Sequence, residues 1–194
     1  MLKGEKTRRK IIEKAALLFN KKGFDGISMQ DVSEATGLEK GSLYTHFSSK
    51  EELAKEAMAY ASMTSFISSI ENLEKLTSPV EKLKLHIRNV LSKPNFPGGC
   101  PLTNIAIDAD DGNTVMYAMA QESLKHWTSF LKQLIKEAQE MEEIQSSVNP
   151  EAFATLIISL LEGACLASRL QRSKKALTVA QQFLTAQIDG YVKE

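Results

Sequence analysis

Positions 40–50 place Lys40, Gly41, Ser42, Tyr44, Thr45, His46 and Lys50 within eleven residues. These are cations, hydroxyls, an imidazole and one bare backbone position. They suit hydrogen bonding to phosphate oxygens and base edges rather than bond-breaking chemistry. Leu43 and Phe47 lie four apart and set the opposite side of the same helix against a core. A short helix with one apolar edge and one small, polar or cationic edge fits the major groove.

The residues that must hold this helix in place come just before it. Ser28 with Asp31 reads as a capping box that starts a helix. Val32 and Ala35 are expected on its inner face. Gly37 supplies the left-handed residue for a sharp turn, and Leu38 plugs the angle between the two helices. Upstream, Ile11, Ile12, Ala15, Ala16, Leu18 and Phe19 form the apolar stripe of a first helix over about 5–22, ended by Gly23. Phe24 and Ile27 anchor the connection. Ser49 with Glu52 is expected to cap a long helix that continues to about residue 76, carrying Leu53, Ala57, Tyr60, Met63, Phe66, Ile67 and Ile70.

Lys40-Gly41-Ser42-Leu43-Tyr44-Thr45-His46-Phe47-Ser48-Ser49-Lys50 resembles the recognition helix of the tetracycline-repressor (TetR) family of bacterial transcription regulators. The segment Ile11 to Phe19, followed by Gly23-Phe24, is similar too. The likeness covers roughly residues 6–56; beyond it only length and an all-helical pattern match. The resemblance implies an all-α fold with a three-helix, helix-turn-helix DNA-binding head over 1–50 and a helical effector-binding and dimerisation domain over 51–194. It also implies roles. Lys40 and Gly41 face base edges, Ser42 and Thr45 reach base or phosphate, and Tyr44, His46 and Lys50 grip phosphates. Ser28 offers a hydroxyl and a helix N-terminus to a further phosphate. The basic N-terminus, Lys3, Lys6, Arg8, Arg9 and Lys10, either follows the neighbouring groove or backbone or is a disordered solubilising tail.

The charge balance is zero overall, which by itself argues against a nucleic-acid binder, but it is unevenly spread. Residues 1–50 hold ten Lys/Arg and six Asp/Glu, a net of +4, and the remaining fourteen and eighteen leave −4. A basic head on an acidic body orients the chain toward phosphates. Two cysteines make neither a disulfide framework nor a zinc site, and His46, His86 and His126 show no ligand spacing. No metal or cofactor is expected. With no signal peptide and with its most apolar run, 156–161, too short to span a bilayer, the chain is expected to be cytoplasmic and free of membrane.

After the long helix, Ser78-Pro79-Val80-Glu81 starts another, with Leu83, Ile87, Val90 and Leu91 inward. Residues 93–101 form a loop, since three prolines and two glycines crowd it. A short helix is expected over about 102–109, a turn at Asp110-Asp111-Gly112-Asn113, and helices over about 114–141, 150–170 and 174–192. Asp108, Asp110, Asp111 and Glu162 lack any nucleophile, base or metal partner at catalytic spacing, so no enzyme is expected.

A single half-site is read by too few side chains, and dimerisation supplies a second recognition helix. The resemblance places the dimer interface on the last two helices. Ala154, Ile157, Leu161, Gly163, Ala164 and Ser168 on one, with Ala180, Phe183, Leu184, Gln187, Ile188 and Tyr191 on the other, form stripes suited to it. A monomeric core would show the same periodicity. The partners implied are a near-palindromic DNA operator, a second copy and an unidentified small-molecule effector whose binding releases the operator. Met63, Phe66, Ile67, Phe96, Met116, Met119, Trp127 and Phe130 are candidate lining for the effector, because methionines and aromatics adapt to apolar ligands. Cys100 in its Gly-Gly-Cys-Pro loop and Asn104 join them as polar contacts. The alternative reading is a DNA-binding regulator without an effector: an activator, or a switch that senses oxidants through Cys100.

Overall fold

The computed structural model describes residues 3–92, 96–110 and 113–193, excepting the side chains at 3 and 108–110. The expected turn at Asp111-Gly112, the side chains of Lys3, Asp108 and Asp110, and the first part of the expected loop, 93–95, lie outside the described residues. Among the described residues nine α-helices follow one another: α1 Lys3–Lys22, α2 Met29–Thr36, α3 Lys40–Tyr44, α4 Lys50–Ser69, α5 Pro79–Ser92, α6 Pro101–Asp110, α7 Thr114–Glu140, α8 Pro150–Gln171 and α9 Lys175–Tyr191. Among the described residues there is no strand, only an isolated antiparallel bridge between Ile144 and Val192. The chain divides into two units, Met1–Ser65 with Phe96–Ser123, and Phe66–Asn95 with Leu124–Glu194.

In the first unit the core forms where α1 to α3 meet. Ile11, Ala15, Ala16 and Phe19 of α1 pack with Ile27, Val32, Leu43 and Phe47, and Ile105 and Met116 join the same cluster. Gly23 (φ 76°) ends α1, its N–H donating to the Phe19 carbonyl at 2.8 Å. Phe24 stacks on Phe19 with centroids 6.2 Å apart. In α2 the inner positions are Met29, Val32 and Thr36, while Ala35 is exposed, contrary to expectation. The stripe follows i, i+3, i+7, and Thr36 can join it because its hydroxyl donates to the Val32 carbonyl at 2.8 Å.

Helix α4 stops at Ser69 rather than near 76, because Asn72 adopts a left-handed backbone (φ 67°) and a single 3-10 turn, Leu73–Lys75, follows. Its N-terminal cap is split between two serines. Ser49 Oγ accepts from the Glu52 N–H at 3.1 Å, but the Glu52 carboxylate reaches back to the N–H of Ser48, not Ser49.

The second unit packs α5, α8 and α9 with the C-terminal part of α7. Leu83, Ile87, Leu131, Ile135, Ile157, Leu161, Leu184 and Ile188 are among its core residues. Asn149 caps α8 and Pro150 begins it, as expected. Glu143 Oε2 accepts from the Ser78 hydroxyl and the Val80 N–H, at 2.7 and 2.9 Å, fixing the start of α5. Lys84 on α5 meets Asp189 on α9 at 2.7 Å.

His86 lies fully buried in this unit. Its Nδ1–H donates to the Ser69 carbonyl at 3.2 Å, and its Nε2 accepts from the Trp127 indole N–H at 2.9 Å. This arrangement holds the neutral ring, and burial pushes its pKa down to about 4, partly opposed by the Ser69 carbonyl. The unfolded chain therefore binds a proton near pH 6.5 that the folded chain refuses until about pH 4. Stability contributed by the neutral ring is complete above pH 6.5 and is lost as pH falls from there toward 4. Thermal unfolding followed by the fluorescence of Trp127, the one tryptophan, should show wild type losing roughly 3 kcal/mol more than His86→Gln between pH 7 and 4. Equal losses would show that His86 titrates normally.

Candidate nucleic-acid interface

Two short helices and a glycine turn present the polar side of the head. Ser28 Oγ accepts from the Asp31 N–H at 3.2 Å, and an Asp31 carboxylate oxygen accepts from the Ser28 N–H at 2.7 Å. This is the capping box read in the sequence, and the hydrogen bonds from Ser28 hold the Asp31 carboxyl below its ordinary pKa. Gly37 (φ 70°) closes α2 with its N–H on the Ser33 carbonyl at 2.9 Å. Ser33 Oγ donates to the Leu38 carbonyl, which fixes the turn.

Helix α3 is only five residues long, Lys40–Tyr44, with Leu43 buried beneath it and Phe47 buried just beyond. Lys40, Gly41, Tyr44 and Thr45 are exposed, and Ser42 and His46 are half-buried. Thr45 Oγ1 donates to the Ser42 carbonyl at 2.7 Å, so its hydroxyl proton is already used and its oxygen remains as an acceptor. Lys50 is the first residue of α4 rather than part of α3. Its Nζ rests 4.1 Å from the centroid of the Phe24 ring, which orders the long side chain. Ser28 is exposed at the start of α2. All eight expected DNA-contact residues thus belong to the first unit.

Three of the N-terminal basic residues, Arg8, Arg9 and Lys10, have partners within the chain. Arg8 forms a two-pronged pair with Glu56, lies 4.0 Å from Glu52 and sits 4.5 Å over the Phe47 ring. Glu56, above all, raises the Arg8 pKa further. Arg9 pairs with Glu13 at 2.9 Å, and Lys10 Nζ donates to the Thr36 carbonyl at 3.0 Å. Three of the five cations therefore tie α1 to itself, to α2 and to α4. For Arg8 and Lys10 a regular amphipathic helix gives no sequence signal, because their partners lie 48 and 26 residues away.

Most of the expected dimer residues are covered within the single chain. Ala154, Ile157, Leu161, Ala164, Ala180, Leu184 and Ile188 are buried within the single chain. Ser168, Gln187 and Tyr191 are half-buried, Tyr191 edge-on to Phe153 at 5.2 Å, and only Gly163 and Phe183 are exposed. The first stripe is therefore the unit's own core. A second apolar stripe faces outward: Leu156, Gly163, Leu166 and Leu170 on α8, Val179 and Phe183 on α9. Leu166 is 52% exposed, Leu170 77% and Phe183 47%. With apolar residues on both sides, α8 is long and apolar enough by length and composition to cross a bilayer, which differs from the expectation based on 156–161 alone. Cys165 on the same helix has its thiol pushed up to about 11 by burial and by Glu162, which leaves it a poor nucleophile.

The residues expected to line an effector site divide between the units. In the first, Phe96 and Met116 are buried in the core, Met119 packs on it from the edge and Met63 is 57% exposed. Cys100 and Asn104 are half-buried, and the Asn104 amide nitrogen is committed to α1 rather than open to a ligand. In the second, Phe66 meets His126 and Phe130 edge-on, at 4.7 and 5.3 Å, and Ile67 is exposed. Trp127 gives its N–H to His86. The sequence gives no sign of the burial of Asn20 and His86, the two most buried polar residues with tertiary partners among the described residues.

The helix-turn-helix with a polar, outward α3, set on an all-helical chain, defines a DNA-binding regulator. The particular family follows from comparison. Residues 11–57 match the model of bacterial regulatory proteins of the tetR family, and residues 79–184 match the tetracyclin repressor-like C-terminal domain. The chain belongs to the TetR family of transcriptional regulators. It is 26% identical over 181 residues to the HTH-type transcriptional repressor DhaR of Mycobacterium sp. strain GP1, covering 92% of this chain and 88% of that protein. A TetR transcriptional regulator from Chloroflexus aurantiacus J-10-FL has the same fold with a TM-score of 0.94 and 32% identity, over 99% of this chain and 98% of that one. A TetR-family regulator from Cytophaga hutchinsonii gives 0.92 and 29%, over 100% and 98%.

Proposed function

We propose that this regulator is a homodimeric repressor that binds a near-palindromic operator and leaves it when a small molecule binds. The outward apolar stripe of α8 and α9 carries the dimer: Leu156, Leu166, Leu170, Val179 and Phe183, with Gly163 allowing close approach, are apolar surface in want of cover. Residues 1–50 act as the DNA-binding domain and 51–194 as the effector-binding and dimerisation domain, in the cytoplasm. The name of the DhaR relative favours repression over activation. For the effector, the half-buried aromatic group of Phe66, Trp127 and Phe130 supports an apolar or aromatic molecule. Quenching of Trp127 by such a compound at the concentrations that release DNA would support this, and release without any change at Trp127 would remove that group from the effector site.

Within the head, Lys40 and Gly41 address base edges, Ser42 and Thr45 base or phosphate, and Ser28, Tyr44, His46 and Lys50 phosphates. Gly41 offers a test of sign. Its φ is ordinary and an added Cβ would meet nothing within 4 Å, so the fold gives no reason for glycine in a helix. Gly41→Ala should stabilise the head slightly, by roughly 0.5 kcal/mol, and yet weaken operator binding about tenfold, the cost of about one disturbed base contact. Calorimetry and a binding titration on one preparation check both. A variant that is stabilised and binds normally would remove Gly41 from the interface.

A further inference from the structure

Asn20, in the last turn of α1, is 3% exposed and polar, and neither the recognition surface nor the outward stripe uses it. Its Nδ2 donates to the carbonyls of Pro97 and Gly99, both at 3.0 Å. In return, Asn104 Nδ2 donates to the Asn20 carbonyl at 2.8 Å, to Asn20 Oδ1 at 3.1 Å and to the Gly98 carbonyl at 3.2 Å. Three oxygens around one amide nitrogen fix which way that amide points. The Asn20 carbonyl is one of the four at the end of α1 that lack a helical partner, and Asn104 supplies the missing donor from 84 residues away. Gly98 completes the fit. Its φ is +107°, and a Cβ there would stand 2.6 Å from the Asn20 carbonyl oxygen. By sequence the 97–104 segment falls in the C-terminal family match, which begins at 79, yet it packs in the unit that holds the head.

We propose that Asn20, Asn104 and Gly98 form a clamp that positions α1 for operator binding, although none of them faces DNA. Placement of α1 reaches the recognition helix through Lys10, whose Nζ holds the Thr36 carbonyl at the end of α2, immediately before the turn that aims α3. The clamp gives the C-terminal part of the chain a hold on the head that does not pass through α4. Asn20 and Asn104 are positioning residues; the clamp rests on the DNA-binding reading.

The test uses the full chain and a duplex recovered by the wild-type protein from random DNA. Affinity per folded molecule is measured for Asn20→Ala, Asn104→Ala, the double variant and Gly98→Ala. Amide exchange is followed without DNA. Each single variant should bind about tenfold more weakly or worse, as expected when a buried amide loses its partners. The double should be no weaker than the weaker single, because either change opens the same clamp. Exchange should quicken together at 20–23, 97–104 and in α3. Folded variants with wild-type affinity, or losses that simply multiply in the double, would overturn the proposal. If wild type recovers no duplex, the DNA reading has failed, and the exchange data still judge the clamp: unchanged rates at 20–23 and α3 in Asn104→Ala would sink it.

Discussion

Leu166→Glu combined with Phe183→Glu should give a folded monomer that no longer binds operator. Both side chains are about half exposed in the single chain, so neither change disturbs its core and thermal stability per chain should shift little. A dimer would bury four unpaired carboxylates. Each buried unpaired charge costs several kcal/mol, more than an apolar helix pair of this size returns. Losing the second half-site removes the gain from linking two weak binders, about 10²- to 10⁴-fold. Sedimentation should show half the wild-type mass, and operator binding should fall by at least ~100-fold. The contrasting variant is Leu161→Ala, on the inner face. It should lower stability by about 2–5 kcal/mol through a core cavity while the folded fraction stays dimeric. A Leu166→Glu, Phe183→Glu protein that remains a dimer would move the interface elsewhere.

Tyr44→Ala with Lys50→Ala should abolish measurable operator binding and leave the dimer intact. Two proposed phosphate contacts are lost from each head, four in all, and hydrogen bonds to charged groups are worth about 1.5–3 kcal/mol apiece. Even with strong non-additivity the loss should exceed ~10³-fold. Two lysines fewer per dimer should also flatten the salt dependence of any residual binding, the slope changing by about 2. The head itself should survive. Tyr44 is 47% exposed, and Lys50 gives up its contact with the Phe24 ring, worth about 0.5–1 kcal/mol, and a surface attraction to Glu51. Normal binding by the double variant would mean that the head docks by another surface.

The head was legible because its determinants are local. A capping box, a left-handed glycine and an i, i+4 pair of apolar residues each fix geometry within a few positions, and Ser28, Gly37, Leu43 and Phe47 all do what their spacing implied. The last two helices were legible as helices but not as surfaces. Periodicity says that one face is covered, not by what. Helix α8 carries apolar residues at 157 and 161 for its own core and at 156, 166 and 170 on the outside, and periodicity alone does not separate the two sets. Buried polar residues were the least legible. Asn20 and His86 look like surface residues in an amphipathic pattern, and only partners 77 to 84 and 17 to 41 residues away make them interior ones. The end of α4 was misplaced for a related reason, since one left-handed asparagine at 72 outweighs a helical pattern that continues past it.

The most direct test of a sequence-specific, dimeric regulator is selection of bound duplexes from random DNA by the purified full chain, with sequencing. A two-fold symmetric motif with half-sites about one helical turn apart is the predicted result. Weak binding that vanishes with salt and leaves no motif would contradict it.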